Sequence, residues 1–340
     1  MTKKSHSVTI RQVAQKAGVS VATVSRYINR NAPISDKVMK RLAKVMTDLQ
    51  YVPHTAARNL ASQKTHTVGL ILMKIHRDFF APLLSGVETV VSEHNHILLV
   101  ATSDPEKGDN NIVAVGAHNT DGLLIFANSL NNEQIQQLYK KKIPMILIHG
   151  SAPDGYVVPR VTVENKMATR NMMDHLIEVH DRRNIIFMRG PKKQEDSYWR
   201  ETGYKESLES HGIVYDERLV LTGEFDREVA YKSLKEFLGC EQRPDFDAVF
   251  SGDDDAAIGV FQAINEAGMR IPEDVSVIGF DDFRLAPYLN PPLTTVRAPT
   301  EEVGRVAAEQ LFRLLEGKEV EEITLLSTDM ILRRSCGCEL

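Results

Sequence analysis

Three cysteines, Cys240, Cys336 and Cys338, are all that 340 residues contain. That is no disulfide framework, and it fits a reducing compartment. No apolar run is long enough to span a bilayer. The opening stretch MTKKSHSVTIRQ lacks the apolar core of a secretory signal. The expected location is the cytoplasm, with no membrane partner. The usual marks of catalysis are missing as well. The first apolar strand runs into GLILMKIHRDFF, which is neither a GxGxxG turn nor a P-loop. No Gly-x-Ser-x-Gly elbow appears, and the histidines follow no catalytic or zinc spacing. Cys336-Gly-Cys338, with one other distant cysteine, gives no four-ligand zinc set. The chain is expected not to be an enzyme, to need no cofactor and to hold no metal, with an inert Cys-Gly-Cys segment.

What is present is charge unevenly divided. The chain is net −5, yet residues 1–62 hold eleven Lys/Arg against two acids, a net +9. The remaining 30 bases and 44 acids give −14. A basic head on an acidic body suggests a polyanion-binding module joined to something that binds no polyanion.

The head carries a helix-turn-helix pattern. Thr9-Ile-Arg-Gln12 fits a capping box. Ile10, Val13, Ala14 and Ala17 follow at helical spacing. Gly18 suits the left-handed residue that ends a helix, and Ser20 can cap a second helix from Val21 to about Ile28. So short a connection forces a steep crossing, which Ala14 permits by being small and Val24 fills. A third helix after Ser35 presents Val38, Leu42, Val45, Met46 and Leu49 to the core. The bland alternative is a three-helix bundle that touches no nucleic acid.

From Thr67 onward, apolar β-branched runs alternate with helical segments, among them TVGLILM, GLLIFA, PMILIH, NIIFMR, AVFSG and VSVIGFD. That order implies parallel sheets covered on both faces. About 270 residues of it exceed one sheet, so two α/β lobes are expected.

The motifs VTIRQVAQKAGVSVATVSRYIN and LQYVPHTAARNLASQKTHTVGLIL resemble those of the lac repressor (LacI/GalR) family of bacterial transcription regulators. His54 stands where that family commonly has Asn. The likeness continues through RDFFAPLLSGVE, SYWRETGYKESL, SGDDDAAIGVFQAINEAGMRIPEDVSVIGFDD and NPPLTTVRAP. It implies an all-α helix-turn-helix DNA-binding domain over residues 1–52 and a hinge helix and linker over 53–65. A periplasmic-binding-protein-like core of two doubly wound parallel-sheet lobes would fill 66–336. Three interlobe crossings would divide it into about 66–162 plus 296–324, and about 164–293 plus 326–336. Residues 104–118 are shorter and richer in Gly and Asn than the family's helix there.

The resemblance also implies roles. Thr9, Ser20, Val21, Ala22, Thr23, Ser25, Arg26, Asn29 and Tyr51 would contact DNA, with Ala57 and Leu60 from the hinge and Leu60 wedged into the minor groove. The partners would be a palindromic operator in double-stranded DNA and a second copy of the chain, in a homodimer or a larger assembly. A small-molecule effector, expected to be a sugar or sugar derivative, would lie between the lobes beside Phe79, Phe80, Glu164, Asp196, Arg200, Phe225, Asp253 and Asp281. Glu164 and Asp253 depart from the usual Asp and Asn. Simpler readings stand beside these. Arg200 and Asp281 could form only an interlobe salt bridge, Phe79 and Phe80 could pack the first helix, and one of Asp253–Asp255 should cap a helix. The function implied is a ligand-controlled repressor. The competing class is a solute-binding protein or sensor with no DNA role.

Overall fold

The computed structural model describes residues 8–29, 32–51, 65–73, 79–103 and 119–339. The expectations for the hinge (Ala57 and Leu60 included) and for residues 104–118 lie outside these. The chain divides into two units, Met1–Thr65 and His66–Leu340.

In the first unit, helix α1 spans Ile10–Ala17, α2 Val21–Asn29 and α3 Asp36–Asp48. The Thr9 amide donates to Gln12 Oε1 at 2.7 Å, and the Gln12 amide donates back to Thr9 Oγ1 at 3.4 Å. This capping box fixes where α1 begins. Gly18 sits at φ 63, ψ 42, a left-handed conformation that costs glycine little. Ser20 Oγ accepts from the Thr23 amide at 3.1 Å and so caps α2. Val13, Ala14, Ala17, Val24, Leu42 and Val45 form the buried core. Each fully buried Val or Leu contributes about 1.5–3 kcal/mol, and so few of them make a small core.

The second unit holds two six-stranded sheets. In the first the order is β11-β5-β4-β3-β1-β2: Ile323–Leu326, Arg160–Val163, Met145–Ile148, Gly122–Phe126, Thr67–Leu72 and Ile97–Thr102. All its pairings are parallel. In the second the order is β12-β10-β9-β8-β6-β7: Asp329–Ile331, Thr294–Arg297, Ser276–Phe280, Ala248–Ser251, Ile185–Arg189 and Val220–Thr222. The strands β3, β4, β8 and β9 are buried at every residue, whereas β2, β7, β11 and β12 at the edges are partly exposed. Burial on both faces explains their unbroken apolar runs.

Helices Phe80–Glu93 and Thr300–Leu315 pack together on one face of the first sheet, and Lys166–Glu178 pairs with Glu195–Ser210 on one face of the second. Gly86 and Gly304 make the first crossing possible, because a Cβ on either would overlap a carbonyl oxygen of the facing helix. Among the described residues, no helix is long and apolar enough to cross a membrane.

The chain passes between sheets after Val163, Arg297 and Leu326. The second passage differs from the expected boundary at 293–296. Strand β10 fills the gap between β9 and β12, so Val296 and Arg297 belong to the second sheet. The break comes at Ala298-Pro299, after the strand. Likewise Leu326 pairs with Val163 and stays in the first sheet. Strand β12 runs antiparallel to β10, the one reversed edge of an otherwise parallel sheet. It is an edge strand, and only its β10 side constrains its direction.

Candidate functional site

The basic unit presents polar and basic side chains of all three helices to solvent. Val21 is 42% exposed, a large apolar residue at the start of α2 with no core to fill. Thr9, Ser20, Ala22 and Arg26 are exposed, and Thr23 and Ser25 are half-buried. Arg11, Lys16, Lys37, Lys40, Arg41 and Lys44 are exposed as well. Asn29 is the last residue of α2. Tyr51 is half-buried against the helical core and its amide bonds Met46 O at 2.9 Å, which gives it a packing place. A helix N-terminus carrying small side chains can enter a major groove, with hydroxyls and cations reaching phosphates.

The second candidate site lies where strand ends from both lobes meet. Arg200, on the Glu195–Ser210 helix, is 3% exposed. Its Nε donates to Asn165 Oδ1 at 2.8 Å, its Nη1 to the Gly252 carbonyl, and its Nη2 reaches Asp281 Oδ1 at 3.5 Å. The guanidinium lies 3.5 Å from the Phe280 ring centroid and 5.3 Å from that of Phe225. Asp281 directly follows β9, with φ 106, a region non-glycine residues rarely occupy. From the first lobe, His149 follows β4 and places Nδ1 3.0 Å from Asp196 Oδ2, an ion-pair distance without hydrogen-bond alignment. The other Asp196 oxygen accepts from Asn165 Nδ2 at 2.8 Å.

These charges shape one another. Burial pushes the Asp281 carboxyl up to about 6, against the pull of Arg200 and His149. Burial opposes the charge on Asp196 too, but His149, Arg200 and the Asn165 hydrogen bond outweigh it and hold Asp196 below the usual carboxylate range. Beneath them, burial raises Asp254 well above that range. Asp254 accepts from Thr295 Oγ1 at 2.6 Å and the Phe283 amide at 2.8 Å.

Of the eight cleft candidates, the fold gathers Phe79, Asp196, Arg200, Phe225 and Asp281. The Phe79 ring touches His149 in its own lobe at 5.9 Å and Phe283 of the other lobe at 6.4 Å. Three candidates have structural occupations. Phe80 is buried in the first-lobe core. Glu164 Oε1 accepts from the Lys166 and Met167 amides at 3.1 Å and caps that helix. Asp253 accepts from the Ala256 amide at 2.9 Å and caps the next. Arg200 and Asp281 do link, but both belong to the second lobe, so the contact is not the interlobe bridge expected, and the guanidinium is shared among three partners. The sequence reading missed His149 and Asn165. His149 stands at the end of PMILIH, the same strand-end position that distinguishes Asp281, and Asn165 is one residue beyond the Glu164 that was chosen.

A helix-turn-helix unit with an exposed polar second helix, joined to a two-lobed α/β core with a charged cleft at its strand ends, defines a DNA-binding regulator with a periplasmic-binding-protein-like body. Comparison with known proteins agrees. Residues 9–54 match the profile of bacterial regulatory proteins of the lacI family, and residues 173–336 that of the periplasmic binding protein-like domain. The HTH-type transcriptional regulator RegA of Clostridium saccharobutylicum is 31% identical, over 97% of this chain and 99% of its own. The ribose operon repressor of Escherichia coli K12 is 28% identical, over 96% and 98%. The solved complex of the transcriptional regulator CelR with cellobiose aligns with a TM-score of 0.73 and 29% identity, covering 96% of this chain and 99% of that one. The chain belongs to the LacI family, and it is a DNA-binding transcriptional regulator, not an enzyme.

Proposed function

We propose that this regulator is a cytoplasmic repressor that binds a palindromic operator as a homodimer and is controlled by a sugar or sugar derivative held between the lobes. One helix-turn-helix spans only a half-site, so two-fold pairing of chains doubles the readout. In this reading Val21 and Ala22 meet base edges or thymine methyls, and Arg26 reads a base or grips a phosphate. Thr9, Ser20, Thr23 and Ser25 position the helix, and Leu60 wedges the operator centre.

The observation that carries the effector half is the Arg200–Asp281–Asp196–His149 group. It draws on both lobes, offers donors and acceptors to ligand hydroxyls, and has Phe225 for stacking against a ring. A sugar class is supported by the cellobiose complex of CelR and by the ribose operon repressor among the relatives. Two ion pairs, His149–Asp196 at 3.0 Å and Arg160–Glu195 at 2.8 Å, join the lobes across this edge. A ligand that competes for them shifts the interlobe angle only as far as it binds one angle better than the other.

The deciding experiment is a thermal-shift screen of sugars on the wild type and on Asp281→Ala, followed by band shifts on palindromes near the regulated genes. A sugar should stabilise the wild type, leave Asp281→Ala unmoved and change operator affinity. A stabilising ligand whose effect survives Asp281→Ala would place the site elsewhere, and absence of any sequence-specific DNA binding would sink the operator reading.

A further inference from the structure

The Cys336-Gly-Cys338 segment, set aside above as inert, meets two histidines in the fold. His175 lies in the last turn of the Lys166–Glu178 helix and His180 just beyond it. Cys336 ends a short 3-10 turn, Arg334–Cys336, and Gly337 at φ 113 swings the chain so that Cys338 faces back. A Cβ on Gly337 would press on the His180 ring at 3.0 Å, so that close approach also needs glycine.

The distances are specific. His175 Nε2 and His180 Nε2 are 3.2 Å apart, and Cys338 Sγ is 3.5 Å from each. With Cys336 Sγ, all four ligand atoms lie within 4.8 Å of one another. A tetrahedral ion bound at about 2.05 Å to nitrogen and about 2.3 Å to sulfur has edges of roughly 3.3 Å between nitrogens and roughly 3.5 Å between nitrogen and sulfur. The His175, His180 and Cys338 atoms match these edges, and Cys336 Sγ, within 4.8 Å of all three, needs only a small adjustment to become the fourth ligand.

We propose that His175, His180, Cys336 and Cys338 form a tetrahedral Cys2His2 site for a zinc-class divalent ion, fastening the segment after β12 to the Lys166–Glu178 helix. Surrounding groups fit that role. Thr294 Oγ1 lies 3.1 Å from Cys336 Sγ as a donor. Ser276 Oγ donates to the Cys336 carbonyl at 2.8 Å and is itself held by Arg182 Nε at 3.0 Å. Outer partners of this kind orient metal ligands. Ser276 and Thr294 open β9 and β10, whereas Asp281 follows the end of β9. The site therefore sits at the opposite end of the second sheet from the cleft, wholly within one lobe, and is independent of the effector reading. A count of cysteines alone does not bring this group together. The imidazoles come from more than 150 residues earlier.

The test uses the full chain, freed of metal by a chelator under reducing conditions and titrated with Co2+ and then Zn2+. One Co2+ per chain should bind with thiolate charge-transfer and tetrahedral d–d absorption, and one equivalent of Zn2+ should displace it. Zinc should shield the partly exposed Cys338 from a thiol reagent while exposed Cys240 keeps reacting. Cys338→Ser and His180→Gln should each weaken binding by more than the ~10–100-fold expected from losing an outer partner, and Cys240→Ser should change nothing. Circular dichroism of each variant checks folding. Should a variant fail to fold, the stoichiometry and spectrum of the wild type decide. Binding below one equivalent, an octahedral spectrum, or affinity unchanged in folded Cys338→Ser overturns the proposal.

Discussion

The proposed DNA-reading face and the interlobe cleft are built on opposite principles. The first takes its described candidates, apart from Asn29 and Tyr51, from one short stretch, Thr9 to Arg26, and leaves most of them in solvent. The second assembles residues from several strand ends, a crossover and a helix, and buries them, with Arg200, Asp196 and Asp281 all under 10% exposed. On the exposed face, geometry comes from capping and a small core, so Val21, Ala22 or Arg26 can change without touching the fold, whereas Thr9 and Ser20 also cap helices. In the cleft, the would-be contact residues are part of the interior. They hold a net charge balance and a strained backbone at Asp281, the latter costing about 1–3 kcal/mol. Apart from the two caps, function and stability are separable in the first region, and they are coupled in the second.

The sharpest way to break that contrast is Arg200→Ala. It strands Asp281 and Asp196 beside a lost cation, and breaking a buried pair this way costs about 3–5 kcal/mol. Urea unfolding of the ligand-free chain should show that loss, and stabilisation by any cleft ligand should disappear. An unchanged denaturation midpoint would mean that the cleft charges are not coupled to folding.

Next in size is a pH effect. Asp281 titrates at about 6 in the folded chain against an ordinary 3.8. Between those values the folded state holds a proton that the unfolded state has lost, so stability falls as pH rises through the window and levels off above it. The shift corresponds to on the order of 2–3 kcal/mol. Asp196 is shifted the other way, so its stabilisation fades only at lower pH, as its folded carboxylate takes up a proton. Asp281→Asn removes the Asp281 slope. The stability of the wild type relative to this variant should therefore decline from pH 4 to pH 6, followed by denaturation at each pH. A constant difference across that window would contradict the burial of a reluctant carboxylate.

The same contrast explains what could be read in advance. Capping by Thr9 and Ser20, the turn at Gly18 and the packing of Ala14 and Val24 are local, so spacing alone exposed them. Buried strands announced themselves as apolar runs. Which strand pairs with which is not local, and the sheet change after Arg297 and the reversed β12 were missed for that reason. In the cleft, Arg200 and Asp281 came from family likeness, not from any pattern in the residues. Glu164 and Asp253 had suitable chemistry, but each stands at a helix N-terminus where backbone amides satisfy the carboxylate. His149 and Asn165 have partners more than 30 positions away, and no window along the chain links them.

On the exposed face the expected effects are smaller and leave the fold alone. Arg26→Ala should lower discrimination between an operator and a single-base variant of it by about 1–3 kcal/mol if the side chain reads a base. Folding stability should stay within about 0.5 kcal/mol. Paired binding curves and a denaturation curve check both halves. A fold lost along with the discrimination would erase the distinction between the two regions.

Lys37→Ala gives the smallest and most diagnostic change. Lys37 is exposed in the first turn of α3. A lysine that meets only phosphate adds affinity without sequence information, through release of counterions from the duplex. Its loss should weaken operator and unrelated DNA by the same factor, reduce the slope of log affinity against log salt by about 1, and leave stability unchanged. Titrations of both DNAs at several salt concentrations measure all of this. A change in preference between the two DNAs would move Lys37 to a base edge. An unchanged slope would leave Lys37 as solvated surface and pass the phosphate contact to other cations of the unit.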